Sequence, residues 1–120
     1  MQSILLYKML DINNWKTQIK KGYLELCILG FIGKHTRLYG FELLELLEKT
    51  GLSVKEGTIY PLLNRMTVDG LLSSVWETQN PTGHPRKFYS LTKEGKKSLE
   101  EMQEEFGKMM DVYKKMRSEK

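Results

Sequence analysis

The stretch "GTIYPLLNRM", residues 57–66, decides how the rest of the chain is read. Ile59, Leu62, Leu63 and Met66 recur at the i, i+3, i+4, i+7 spacing of an amphipathic helix. Pro61 interrupts this pattern, and Gly57 lies four residues before it. Proline removes the backbone bond to the i−4 carbonyl, and both residues are poor helix formers. At about 100° per residue, Gly57, Pro61, Asn64 and Val68 fall opposite the apolar stripe, flanked by Tyr60 and Arg65. Both breakers therefore face outward, on a surface whose backbone another molecule can approach closely. The side chains left to reach out are Lys55, Thr58, Tyr60, Asn64 and Arg65. Asn pairs with adenine, Arg with guanine, and Thr contacts phosphate or the thymine methyl, so this face suits a DNA major groove.

Working outward, the flanking segments give a helix, helix, helix, hairpin, helix order. A helical pattern runs from Trp15 to Ile32, with Ile19, Tyr23, Leu26, Cys27 and Gly30 to Phe31 on one face and Gly33 as its terminator. A second helix is expected from Leu38 to Lys49, with Thr36 as N-cap, Leu43, Leu44, Leu46 and Leu47 inward, and Gly51 as its stop. The third is expected to start near Ser53, because "SVKE" has the form of a capping box, and to end at Gly70. "LLSSVWET" and "RKFYSL" read as strands joined by the turn-rich "QNPTGHP". Thr92 caps a last helix reaching about Arg117. The expected fold is mainly α with a small β-hairpin: a winged helix-turn-helix over residues 15–91 and a long C-terminal helix over 92–120. Residues 1–14 form an N-terminal arm or extra helix. Gly83, His84, Arg86 and Lys87 lie at or near the hairpin tip, where a wing lies along phosphates or in the minor groove.

Composition is compatible with this reading. The 120 residues suit one domain, and 28% charged with 40% hydrophobic residues describe an ordinary globular chain. The net charge of +4 is unevenly placed: residues 1–37 carry six basic and two acidic groups, and residues 71–97 five and two. Two basic zones point to an anionic partner. The single cysteine, Cys27, excludes an intrachain disulfide and fits the reducing cytoplasm. "MQSILLYKML" lacks a basic leader, so no secretory signal is expected, and no apolar stretch is long enough for a bilayer. His35 and His84 are isolated, and neither zinc-ligand spacing, a phosphate-binding glycine loop nor a nucleophile elbow occurs. An enzyme, a metal site or a cofactor is not expected.

The last helix carries a further pattern. Leu99, Met102, Phe106, Met109, Tyr113 and Met116 are spaced 3, 4, 3, 4, 3, an a/d stripe. A helix of about 25 residues is about 37 Å long, more than a small domain easily covers. The stripe therefore predicts a homodimer.

"LYGFELLELLEKTG", "EGTIYPLLNRMTVDGLL" and "GHPRKFYSLTKEGKKSLEEM" together resemble the PadR family of transcriptional regulators, over Lys21 to Met116. The resemblance implies a dimeric winged-helix repressor of the branch with a single C-terminal helix. Its third helix would enter the major groove of a double-stranded operator, and its last helix would make the dimer. It gives Lys55, Thr58, Tyr60, Asn64 and Arg65 the reading positions, Tyr39 a place near the DNA backbone, and Gly83, Arg86 and Lys87 the wing. It also implies release by a small aromatic or drug-like effector between subunits, for which Trp15, Phe106, Met109 and Met110 are candidates. The alternative is a winged-helix protein-interaction module that binds no DNA.

Overall fold

A computed structural model describes residues 11–79 and 81–118. Its elements are α1 (Ile12–His35), β1 (Leu38–Tyr39), α2 (Gly40–Lys49), α3 (Glu56–Val68), β2 (Leu72–Glu77), β3 (Arg86–Leu91) and α4 (Lys93–Ser118). Three helices, an antiparallel sheet in the order β1-β3-β2 and a long final helix make a winged helix-turn-helix with a C-terminal extension. The expected arm is divided: Ile12 to Asn14 join α1, and residues 1–10 lie outside the described ones. The Asp11 carboxylate accepts from the Asn14 backbone N–H at 3.1 Å and caps the helix start.

The core gathers Leu24, Ile28, Leu29 and Ile32 of α1 with Leu43 and Leu47 of α2, Ile59, Leu63 and Met66 of α3, and Leu38, Leu72, Tyr89 and Leu99. This corrects the expected face of α1. Ile19 and Tyr23 are exposed, while Leu26, Cys27 and Phe31 only flank the core. The segment from Leu24 to Ile32 is apolar almost all round, so its periodicity does not say which side meets the domain. Leu43 and Leu47 are the buried positions of α2, with Leu44 and Leu46 partly covered.

Three expected caps are replaced. Gly33 does not end α1; it lies inside the helix, where a β-carbon would come 2.9 Å from Leu91 Cδ1 and 3.3 Å from Leu99 Cδ2. Its missing side chain lets α1 pack closely on β3 and α4. Thr36 closes α1, at φ 70°, rather than opening α2. The cap of α2 is Tyr39, whose N–H donates to Glu42 Oε1 at 3.1 Å. The "SVKE" box does not form either: α3 is capped by Lys55, whose carbonyl accepts from Thr58 and Ile59 N–H. Val54 packs against the core and keeps the link extended up to that point.

Gly51 and Gly70 act as the sequence suggests. Each has positive φ, 99° and 83°. After α2, Leu52 N–H bonds to Leu47 C=O and Gly51 N–H to Glu48 C=O; after α3, Leu71 bonds to Met66 and Gly70 to Thr67. Both pairs are Schellman motifs, which satisfy the last helical carbonyls and turn the chain sharply. The second turn feeds β2 directly. Thr92 Oγ1 accepts from Gly95 N–H at 2.9 Å, capping α4, and donates to the Gly70 carbonyl at 2.6 Å. One hydroxyl thus ties the start of α4 to the end of α3.

β1 escaped the sequence reading. Its two residues pair with β3, Leu38 opposite Tyr89 and Tyr39 opposite Phe88. β2 pairs with β3 over six positions, from Leu72 opposite Leu91 to Glu77 opposite Arg86.

Candidate nucleic-acid interface

α3 sinks Ile59, Leu63 and Met66 into the core and leaves Gly57, Thr58, Tyr60, Pro61, Asn64 and Arg65 exposed, with Lys55 just before it. Pro61 is on the outer side, so the Gly57 carbonyl that it leaves without a helical partner faces water. A β-carbon on Gly57 would meet nothing within 4 Å. That position is open space in the free protein.

Two of these side chains are held by the rest of the fold. The ring of Tyr60 lies across Gly40 at the start of α2. Burial, then Glu56 and Tyr39, pushes its phenol above the ordinary value, so it stays a neutral donor. Arg65 donates to Glu25 Oε2 of α1 at 2.7 Å. The guanidinium is about half exposed, so this pair contributes at most about 1 kcal/mol. A bidentate contact to guanine contributes roughly 1–3 kcal/mol of discrimination. The Glu25 pair is therefore weak enough to be exchanged for such a contact at small cost.

The β1–β3 pairing joins this face to the wing. Tyr39, next to Gly40, meets Phe88 edge-on at 5.4 Å between ring centroids, and the Arg86 guanidinium lies 4.8 Å from the Tyr39 ring. Arg37 stacks 4.0 Å over Phe88 and pairs with Glu77 at 2.8 Å. Lys87 Nζ stands 5.8 Å from the rings of both Trp76 and Tyr89. Gly83 turns the hairpin tip at φ 72°, and His84 N–H donates to Thr82 Oγ1 at 3.4 Å. A run of contacts thus leads from Tyr60 through Gly40 and Tyr39 to Arg86. Arg37, Trp76 and Phe88 were missed as members of this surface. Arg37 precedes a strand too short for any periodic signal, and its partners Glu77 and Phe88 are distant in sequence.

The stripe on α4 divides. Leu99 is buried in the core of its own chain, Met102 packs against that core, and Phe106 stacks on Tyr23 of α1 at 5.7 Å. These three are spent within the protomer. Met109, Tyr113 and Met116 remain exposed, as do Ile12, Trp15, Ile19 and Tyr23 on α1. The Tyr23 hydroxyl is raised chiefly by its hydrogen bond to Cys27. Burial raises the Cys27 thiol, partly offset by the same bond.

Among the described residues, hollows flank α1 on two sides. One of about 650 Å³ lies between α1, the link Leu52 to Lys55 and α3; its wall includes Lys20, Lys21, Leu24, Thr58, Pro61, Leu62 and Arg65. The other, about 370 Å³, lies between α1 and α4 and is lined by Cys27, Phe31, Lys34, Phe106 and Gly107 among others. Of the effector candidates only Phe106 reaches it; Trp15, Met109 and Met110 do not line either hollow. Among the described residues, no group of three or more His, Cys, Asp and Glu is placed to hold a metal ion. No helix among them is long and apolar enough to cross a membrane.

A helix α3 bared on one side, a sheet-supported hairpin and a long last helix define a winged helix-turn-helix protein. Residues 28–101 match the Transcriptional regulator PadR-like family, and the chain belongs to it. It is similar to a PadR-like transcriptional regulator from Bacillus cereus: 36% identity, 86% of this chain and 99% of that one covered, TM-score 0.77. A PadR family regulator from Eggerthella lenta is 26% identical over 97% of this chain and 99% of its own, with TM-score 0.76. Bacillus subtilis PadR, solved in complex with operator DNA, is 28% identical over 66% of this chain and 44% of its own, with TM-score 0.58. No curated protein sequence matches the chain. Members of this family are transcription regulators, not enzymes, and the fold is the family's winged helix.

Proposed function

We propose that this regulator binds a double-stranded operator as a cytoplasmic homodimer and represses transcription. α3 enters the major groove and the hairpin contacts the backbone or minor groove. The observation that carries this reading is the bared face of α3, with Lys55, Thr58, Asn64 and Arg65 exposed on a buried spine of Ile59, Leu63 and Met66. Support comes from the Bacillus subtilis relative, whose structure contains operator DNA. In this reading Tyr39, Gly57, Tyr60, Pro61, Gly83, His84, Arg86 and Lys87 complete the contact surface.

The dimer is built from the apolar groups left uncovered on α1 and α4. Trp15 and Met109 are 57% and 54% exposed, and Ile12, Ile19, Tyr23, Tyr113 and Met116 are exposed with them. Large apolar side chains left exposed along one face of each helix are what an interaction site presents. Methionine packs adaptably, so the same seam takes a small aromatic or drug-like effector beside Trp15, Phe106, Met109 and Met110. Binding there shifts the spacing of the two reading helices and releases the operator.

The test is fluorescence anisotropy with a fragment of the gene's own promoter across a salt series. A DNA binder loses affinity steeply as salt rises, because bound phosphates release counterions. Salt-independent or absent binding would leave the protein-interaction module as the reading.

A further inference from the structure

The hollow between α1 and α3 combines an aliphatic floor with a cationic rim, and Thr17, Ser53 and Thr58 add hydroxyls to its wall. Its floor is aliphatic: Leu24 is buried, and Leu52 and Leu62 are half-buried. Its rim is cationic: Lys20, Lys21 and Lys55 are exposed, and none of them makes an ion pair among the described residues. The nearby Arg65 is already matched by Glu25. Among the described residues, no aromatic side chain contributes to the wall. Ligand sites commonly have volumes of about 300–1,000 Å³ and apolar walls with a few placed polar groups. At about 650 Å³ this hollow falls in that range.

We propose that this hollow binds an aliphatic carboxylate of medium chain length, and that its occupancy excludes DNA. The chain covers the leucine floor, and the carboxylate takes charge-assisted hydrogen bonds from the lysine rim. The exclusion of DNA rests on the operator-binding reading above; the binding site itself does not. Lys55, Thr58 and Pro61 belong to both the hollow and the reading face, so one occupant displaces the other. On the helical wheel, residues 17, 21 and 24 of α1 lie roughly opposite Trp15, Ile19 and Tyr23. A dimer through the exposed seam therefore leaves this hollow open, and the site is separate from the aromatic effector seam.

The experiment uses the full-length protein with decanoate below its micelle concentration and decanol as the uncharged control. Calorimetry without DNA should show decanoate binding and much weaker decanol binding. Amide resonances of residues 20, 21 and 52–55 should shift. Lys20→Ala with Lys21→Ala, both at exposed positions, should weaken decanoate by about tenfold. Ser53→Trp, also exposed, should block the hollow without changing charge. With the promoter fragment, the apparent Kd for DNA should rise in proportion to decanoate. Equal binding of decanol, shifts confined to Trp15 and Met109, or a complex holding decanoate and DNA together would overturn the proposal. A protein that binds decanoate but no DNA in the absence of ligand refutes the operator reading and the competition, while calorimetry still decides the site.

Discussion

The aromatic ring of Tyr60 rests on Gly40 so closely that a β-carbon at residue 40 would lie 2.7 Å from its hydroxyl oxygen and 2.8 Å from its Cζ. The first residue of α2 thus sets where a side chain on the exposed face of α3 sits. Gly40→Ala should push the half-exposed Tyr60 ring outward and destabilise the fold by about 1 kcal/mol, the low end of the overpacking range, because the ring can swing toward solvent. In a Tyr60→Ala background the same change should cost much less, since the ring is gone. Thermal unfolding of the four proteins measures the coupling. Additive losses would mean that the ring moves aside freely.

Gly57 behaves differently from Gly40. A β-carbon there meets open space and its backbone is helical, but residue 57 lies in the first turn, so Gly57→Ala should stabilise α3 by less than the roughly 1 kcal/mol of a helix interior. Its added methyl stands on the face proposed to approach DNA. Operator affinity should therefore fall while the melting temperature holds or rises. Unchanged affinity would show that close approach at residue 57 is not needed.

Reading and anchoring residues should separate by their salt response. Asn64→Ala should cost roughly 1–3 kcal/mol on the preferred operator if it makes a bidentate base contact. Arg86→Ala and Lys87→Ala should weaken all sequences alike and each lower the salt slope by up to about one. An unchanged slope in both would remove the wing from the contact surface.

The seam can now be tested without touching the fold. Phe106 stacks on Tyr23 of its own chain, so altering it would confound folding with assembly. Met109→Glu with Met116→Glu changes two exposed positions. Sedimentation should show folded monomers with native circular dichroism. A dimer of unaltered strength would place the assembly surface elsewhere.

Cys27 supplies a chemical check on the packing of α1. Burial raises its thiol above the ordinary value, so at neutral pH less of it is the reactive thiolate. Iodoacetamide should modify it more slowly than an unfolded control, with the rate climbing as pH rises toward the raised value. Alkylation as fast as in denaturant would contradict a protected thiol.

Much of the molecule was legible locally. Helix order, the hairpin, the Schellman turns at Gly51 and Gly70, the Thr92 cap and the two-sided character of α3 each depend on residues a few positions apart. Periodicity and turn chemistry record such relations directly. The outward placement of Gly57, Pro61 and Asn64 follows from Ile59, Leu63 and Met66 being buried, and that division was already in the spacing.

Tertiary structure decided the rest because it depends on partners far along the chain. Arg65 finds Glu25, and Arg37 finds Glu77, each forty residues away. β1 has two residues and exists only because β3 pairs with it. Gly33 looked like a helix stop, but its position is fixed by Leu91 and Leu99 pressing on it. The even stripe on α4 could not reveal that its first half is spent on the protomer's own core and on Tyr23 while its second half is left bare. Spacing fixes which side chains share a face; what covers that face is settled by elements that meet only once the chain has folded.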